Sequence, residues 1–167
     1  PLWCPSLPPQ LTRGDLDQLH SSEGGIQIGL IDGIENGAHR CLRWQHGNIM
    51  MSGSGSSTSK LALLVRSCAT ILSDSLGFPL CGVSIDSGAP HSSVASADYL
   101  IRDIVDFGVL CEDICHRAPC VIWLEDIEGT LHILEECLGV LRAHDLWGQF
   151  TRSCDGVNSV LIASEVS

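Results

Sequence analysis

From residue 46 to residue 164 the sequence alternates between short apolar segments and longer segments in which apolar residues recur every three or four positions. A short apolar run is typical of a buried strand, and the longer period is typical of a helix face. Buried strands that alternate with helices form a parallel sheet covered on both faces. The sequence therefore predicts an α/β fold with a mostly parallel sheet. The predicted strands are HGNIMMSG (46–53), LCGVSID (80–86), CVIWLED (120–126) and NSVLIAS (158–164).

Three segments carry the helical pattern, at 59–72, 97–115 and 127–142. Their predicted buried faces consist of Leu61, Leu64, Cys68 and Leu72, then Leu100, Ile104, Phe107, Cys111 and Ile114, and then Ile127, Leu131, Leu134, Leu138 and Leu141. Parallel sheets bind their ligands at the carboxyl ends of the strands. The candidate ligand-binding positions are therefore Ser52 onward, Asp86, Glu125 with Asp126, and Ser164.

The first part of the chain has a different character. Residues 1–24 are rich in Pro, Gly and Ser around one polar helical turn, LTRGDLDQLH, and we interpret them as an N-terminal arm. A strand pair is predicted at 25–32 and 39–45, joined by a turn. We expect the domain to extend over 25–167 and, because the first residue is not Met, to be part of a longer multi-domain chain.

Composition narrows the class of protein. The 167 residues, of which 44% are hydrophobic and 17% charged, suffice for one domain with a core. The net charge is −11, the eight Arg are scattered and Lys60 is the single Lys, whereas a DNA-binding protein presents a basic stripe. Nucleic acid is therefore not an expected partner. No run of 18 apolar residues occurs, so no membrane-spanning helix is predicted.

Nine cysteines are spread irregularly along the chain. An odd number without regular spacing is not a disulfide framework and indicates a reducing cytosol. The cluster Cys111, Cys115, His116 and Cys120 resembles zinc-ligand spacing. However, the first two cysteines lie in a helix pattern, Cys120 opens a strand, and no CxxC pair is present. We therefore expect packed, reduced cysteines rather than a zinc site.

The segment MSGSGSSTSKLALLV (51–65) joins a predicted strand to a predicted helix through Gly and Ser, as a phosphate-binding loop does. A working loop reads G-x-x-x-x-G-K-[ST]. If Lys60 is the motif lysine, Ser54 and Ser59 stand at the glycine positions and Leu61 replaces the hydroxyl residue. This register does not fit.

The second register takes Ser59 as the magnesium-binding hydroxyl. Thr58 then stands at the lysine position, and Ser52 and Ser57 stand at the glycine positions. Lys60 is two residues past the lysine position and points about 200° away around the helix. The backbone donors and the helix dipole remain for weak anion binding, but the charge that neutralises a γ-phosphate is lost.

Acidic residues follow the third predicted strand, in VIWLED (121–126). Four apolar residues followed by acids resemble a Walker B element, in which one acid orients magnesium and another activates water. The alternative interpretation is a buried strand followed by acids that favour the start of the next helix, which applies to Asp126 and Glu128. Asp86 has a similar alternative, because an acid in such a position more often caps a strand end than binds metal. For His91, a turn residue is a more frequent interpretation than a catalytic base.

Taken in order, these segments resemble the FtsK/SpoIIIE superfamily, and within it the EccC-type ATPases of type VII secretion systems. The resemblance covers essentially the whole chain. It is carried by PLWCPSLPPQLTRGDLDQL (1–19), IGLIDG (28–33), GNIMMSGSGSSTSK (47–60), IDSG followed by APHSSVA (85–95), CVIWLED (120–126) and NSVLIAS (158–164).

The resemblance implies a RecA-like P-loop NTPase fold, with ATP and magnesium as cofactors. It assigns the nucleotide contacts to Ser52, Gly53, Gly55, Ser57, Thr58, Ser59 and Asp86, the metal to Ser59 and Glu125, and catalysis to Glu125 and Asp126. It also implies a place at the cytoplasmic face of a bacterial membrane. The implied partners are neighbouring ATPase domains of the same chain, further copies in the full protein, and small secreted helical-hairpin substrates or their C-terminal signals.

The excess of Arg over Lys is typical of a GC-rich genome such as that of an actinobacterium.

Three functions remain open at this point. The defective loop favours a degenerate ATPase-like domain with a structural, regulatory or substrate-signal-binding role. The alternative is a domain that still binds ATP with magnesium and hydrolyses it slowly to drive protein secretion. The third is a DNA translocase, which the acidic charge disfavours.

Overall fold

The computed structural model describes residues 11–17, 24–35, 38–53, 58–86 and 97–166. The chain divides into two compact units, Pro1–His46 and Gly47–Ser167. The division predicted at residue 24 stays a prediction.

The first unit contains a helical turn and a strand pair. Helix α1 (Arg13–Asp17) begins after Thr12, whose hydroxyl accepts a hydrogen bond from the backbone N–H of Asp15 at 3.2 Å, while the Asp15 carboxylate accepts from the Thr12 N–H at 2.9 Å. These reciprocal bonds satisfy donors that a helix start leaves free. Strands β1 (Ile26–Glu35) and β2 (Ala38–Trp44) pair antiparallel, so the predicted strand pair is confirmed.

The second unit alternates strands and helices, as the sequence predicts. Its elements are β3 (Ile49–Gly53), α2 (Thr58–Leu76), β4 (Leu80–Ile85), β5 (Tyr99–Ile101), α3 (Ile104–Arg117), β6 (Val121–Leu124), α4 (Ile127–Leu138), α5 (Val140–Gly156) and β7 (Val160–Val166). The strands form one five-stranded sheet in the order β3-β7-β6-β4-β5, and every neighbouring pair is parallel. Helices flank the sheet, so the predicted α/β class is confirmed.

The two faces of the sheet carry different helices. Ile122 and Leu124 belong to a buried core with α3, α4 and α5, in which Phe107 and Phe150 meet edge to face at 5.3 Å between ring centroids. Alternate residues of a strand point to opposite faces. Accordingly, Trp123 points the other way and contacts α2.

A partly buried side chain ties the start of β3 to two other elements of the second unit. Asn48 donates from Nδ2 to the backbone carbonyl of Thr151 on α5 at 3.0 Å, and its Oδ1 accepts from the N–H of Leu161 on β7 at 3.0 Å. One amide thus joins the start of β3 to both α5 and β7.

The bounds of all three predicted helices differ from those observed. The helix predicted over 59–72 is α2 (Thr58–Leu76), which continues four residues further. The segment predicted as a helix from residue 97 contains a strand first, so the assignment of Leu100 to a helix face is wrong: it lies in β5. The Asp103 side chain accepts from the N–H of Asp106 at 3.0 Å and starts α3 one residue later. The helix predicted over 127–142 ends at Leu138, because Gly139 adopts φ +81°. The helix α5 that follows was not predicted.

Two residues assigned to buried faces are exposed. Leu141 has 83% of its surface exposed, because the break before it ends the period of α4 and α5 starts a new one. Leu64 is 55% exposed, because the face that α2 buries runs through Leu61, Val65 and Cys68 instead. When apolar residues lie on both sides of the edge of a helix face, two different sets of positions fit the helical period. Packing then decides which of the two sets is buried.

The cysteines divide by burial. Cys111 and Cys115 lie in α3, as predicted, but Cys115 is exposed, as is Cys137. Four others are buried, namely Cys68, Cys81, Cys120 and Cys154. Burial raises the pKa of the Cys81 and Cys154 thiols to about 12 and that of Cys68 to about 11, so they stay protonated at neutral pH.

Within the described ranges, no helix is both long enough and apolar enough to span a bilayer.

Candidate functional site

The candidate site lies at the carboxyl edge of the parallel sheet, where β3 and β6 both end. Strand β7 separates them. Met51 on β3 lies opposite Ser164 on β7, and the Ser164 hydroxyl donates to the backbone carbonyl of Glu125, which directly follows β6. The Gly/Ser segment and the Walker B-like acid therefore share one edge, as the topology of such sheets requires of a ligand site.

Within the Gly/Ser segment (52–59), the structure describes Ser52 and Gly53, and it describes the backbone of Thr58 and Ser59 at the start of α2. Ser52 donates from its hydroxyl to Oε1 of Glu165 at 3.1 Å. Gly53 ends β3, and a Cβ there would lie 3.3 Å from a methyl carbon of Leu61. Gly55 and Ser57 lie outside the described residues, as do the side chains of Thr58 and Ser59, which begin α2. The nucleotide contacts assigned to these residues stay predictions.

Glu125 forms an ion pair inside the protein. Its Oε1 accepts from Nε of Arg66 on α2, and the two side chains are 14% and 27% exposed, respectively. The guanidinium of Arg66 also lies over the Trp123 ring, 4.6 Å from the ring centroid. A carboxylate shielded to this degree needs a positive partner, and Arg66 supplies one.

Asp126 caps the helix that follows β6. Its Oδ1 accepts a hydrogen bond from the N–H of Gly129 at 2.9 Å, and its carbonyl accepts from the hydroxyl of Thr130 at 2.8 Å. An Asp at this position stabilises a helix by satisfying a free donor and by its charge near the positive end of the dipole. This geometry agrees with the alternative interpretation of the acid; the catalytic role assigned to Asp126 stays a prediction.

Asp86 follows β4, on the far side of β6 from the loop strand. Its backbone N–H donates to the carbonyl of Ile101 at 3.0 Å, which extends the pairing of β4 with β5, and its side chain is exposed. Residues 87–96, which include His91, lie outside the described residues. The carboxyl-end position predicted for Asp86 is therefore confirmed, while its nucleotide contact stays a prediction.

Sequence reasoning missed Arg66 as a site residue. It follows Val65, which α2 buries, so it stands beside the apolar face rather than on the solvent side. A charged residue at the edge of an apolar helix face is a weak signal, because long side chains often extend from such positions to water.

The residues described here do not fit the magnesium site that the resemblance implies. Of its assigned ligands and acids, Glu125 is paired with Arg66 and Asp126 serves as a helix cap. A divalent cation at Glu125 would face the guanidinium at close range, where like charges repel strongly.

The fold and the edge described above define a RecA-like α/β domain. Among solved structures, the chain is similar to the cytoplasmic domain of EssC, with 12% sequence identity and a TM-score of 0.51 over 97% of this chain and 34% of that one. At that identity the likeness concerns the fold. The chain spans about a third of the length of this structural neighbour. No family model matches the sequence, and no curated protein matches it.

Proposed function

We infer that this domain is a noncatalytic FtsK/SpoIIIE-like module of an EccC-type protein in a type VII secretion system. Three features support the proposal: the order of sequence motifs along the chain, the RecA-like fold, and the similarity in fold to the cytoplasmic domain of EssC. The proposed place is the cytoplasmic face of the membrane, within a longer chain that carries further ATPase domains.

The observation that carries the noncatalytic assignment is the engagement of both acids after β6. Hydrolysis needs one acid free for magnesium and another for water. Here Glu125 pairs with Arg66, and Asp126 caps α4. The Gly/Ser segment also lacks the motif lysine in either register. The proposed role is therefore structural or regulatory, by contact with neighbouring ATPase domains, further copies or the C-terminal signals of helical-hairpin substrates.

Calorimetry with ATP and magnesium tests the loss of nucleotide binding directly. We expect no heat of binding up to millimolar ATP, because the charge that would neutralise the phosphates is absent from the loop motif. A low-micromolar dissociation constant together with release of phosphate from ATP would instead support the alternative, a slow ATPase, and overturn the proposal.

A pair of substitutions at Asp126 separates catalysis from capping in the full-length secretion protein. Asp126→Asn removes the carboxylate but keeps an efficient N-cap, so we expect secretion of a hairpin substrate to be unchanged. Asp126→Ala removes the cap and should destabilise the domain by about 1 kcal/mol. Loss of secretion in Asp126→Asn, with normal protein levels and stability, would show that the acid itself is needed.

A further inference from the structure

The ion pair of Arg66 and Glu125 belongs to a larger cluster that spans three elements. Trp123 lies in β6 and Glu125 directly follows the strand, and both side chains meet α2 on the same side of the sheet. Arg66 on α2 contacts both: its Nε donates to Glu125, and its guanidinium lies over the ring of Trp123. A single cation therefore binds a carboxylate and the face of an aromatic ring together.

The ring that supports the guanidinium is held in place by the neighbouring strand. Gly82 on β4 is paired with Trp123 on β6, and a Cβ at Gly82 would lie 2.2 Å from a ring carbon. The indole therefore fills the space that any side chain at residue 82 would occupy. It is 4% exposed, so its position is set by packing rather than by solvent.

The cation at Glu125 is a guanidinium, whose planar donors suit a carboxylate. The carboxylate, with a side chain 14% exposed, cannot gain a second cation without bringing two positive groups together. Arg66 or a divalent metal can neutralise Glu125, but not both at once.

We propose that Arg66 is the resident cation of Glu125, in the place where the resemblance puts magnesium, and that it clamps α2 onto β6 without nucleotide. This inference rests on the proposed noncatalytic function and deepens it by naming the residue that supplies the charge.

Manganese is the probe, because its free concentration can be followed by electron paramagnetic resonance. We expect the wild-type chain to show no Mn²⁺ site at Glu125. Arg66→Met keeps most of the aliphatic volume of the side chain but removes the charge. The shielded carboxylate of Glu125 is then left without this partner, so the urea midpoint of unfolding should fall. Adding Glu125→Gln to this variant should restore part of the loss in stability, because the amide needs no counter-charge.

Two results would overturn the proposal. One is Mn²⁺ binding by the wild-type chain that Glu125→Gln abolishes, a comparison that needs no Arg66 variant and so holds even if Arg66→Met fails to fold. The other is an Arg66→Met variant that keeps the urea midpoint of the wild-type chain. ATP hydrolysis by a wild-type chain without a Mn²⁺ site at Glu125 would contradict the noncatalytic function alone and leave the role of Arg66 standing.

Discussion

Gly82→Ala tests the packing that positions Trp123 and, through it, Arg66. The backbone of Gly82 lies outside the left-handed region, so alanine adopts its conformation without strain. In the absence of a clash, the substitution would stabilise the fold by about 0.4–1 kcal/mol, through the lower entropy of the unfolded chain. Whether Gly82→Ala raises or lowers the free energy of unfolding depends on the contacts of the added methyl group.

The methyl group would lie 2.2 and 2.4 Å from two atoms of the Trp123 ring, well inside the roughly 3.5–4.0 Å of a normal carbon contact. The ring must therefore shift by more than about 1 Å. Overpacking of this kind costs about 1–3 kcal/mol. A displaced ring also weakens the contact with the Arg66 guanidinium, worth about 0.5–1 kcal/mol at a partly exposed site. We expect a net destabilisation of about 1–3 kcal/mol.

Urea unfolding followed by far-ultraviolet circular dichroism measures the change in the free energy of unfolding. Gly108→Ala is the matched control: it lies within α3 with no atom within 4 Å of its Cβ position, so alanine should stabilise the protein by up to about 1 kcal/mol. Combining Gly82→Ala with Trp123→Leu should recover part of the loss, because the smaller side chain makes room. A stabilised Gly82→Ala variant, or strictly additive effects, would refute the reasoning.

Three further predictions concern stability. Asn158 has φ +58°, so Asn158→Gly should be tolerated while Asn158→Ala costs about 1 kcal/mol; equal stability of the two variants would contradict this. Asn48→Ala leaves two backbone groups without their partner, and unfolding in urea should show a loss of about 2 kcal/mol or more, whereas a loss below about 0.5 kcal/mol would contradict the bridge. Burial raises the pKa of the Cys81 and Cys154 thiols from 9.0 to about 12, so these thiols ionise in the unfolded chain before they ionise in the folded one. The free energy of unfolding should therefore fall as the pH rises from about 9 towards 12. A flat profile above pH 9, or an unchanged slope in Cys154→Ala, would argue against this prediction.

Much of the fold follows from local periodicity. The strands at Val121–Leu124 and Val160–Val166 consist of nearly continuous apolar residues, and helix-period patterns lie between the strands, so the class and the strand positions were predictable. The prediction failed where local signals compete. The three-residue strand at Tyr99–Ile101 is too short to interrupt a helix pattern, and the break at Gly139 falls inside an apolar period that continues across it.

The candidate site was predictable in part. Its location at the carboxyl edge followed from the parallel sheet, and the acids after β6 were recognisable as a pair. Their partners were not. The helix cap formed by Asp126 is local and was among the interpretations weighed, since it spans three residues. The partner of Glu125 lies 59 positions earlier in the chain, and no local pattern links the two residues.

The alternation of strands and helices and the loss of the motif lysine can be read from the sequence, because both are properties of residue type and spacing along the chain. The tertiary structure decided which charge neutralises Glu125. That outcome depends on the sheet order, on α2 packing against β6, and on a glycine at residue 82 that admits the Trp123 ring. Each of these conditions brings together residues that are distant in the sequence. The free energy of a shielded ion pair depends on the distance between its two charged groups and on their burial, not only on which residues carry them.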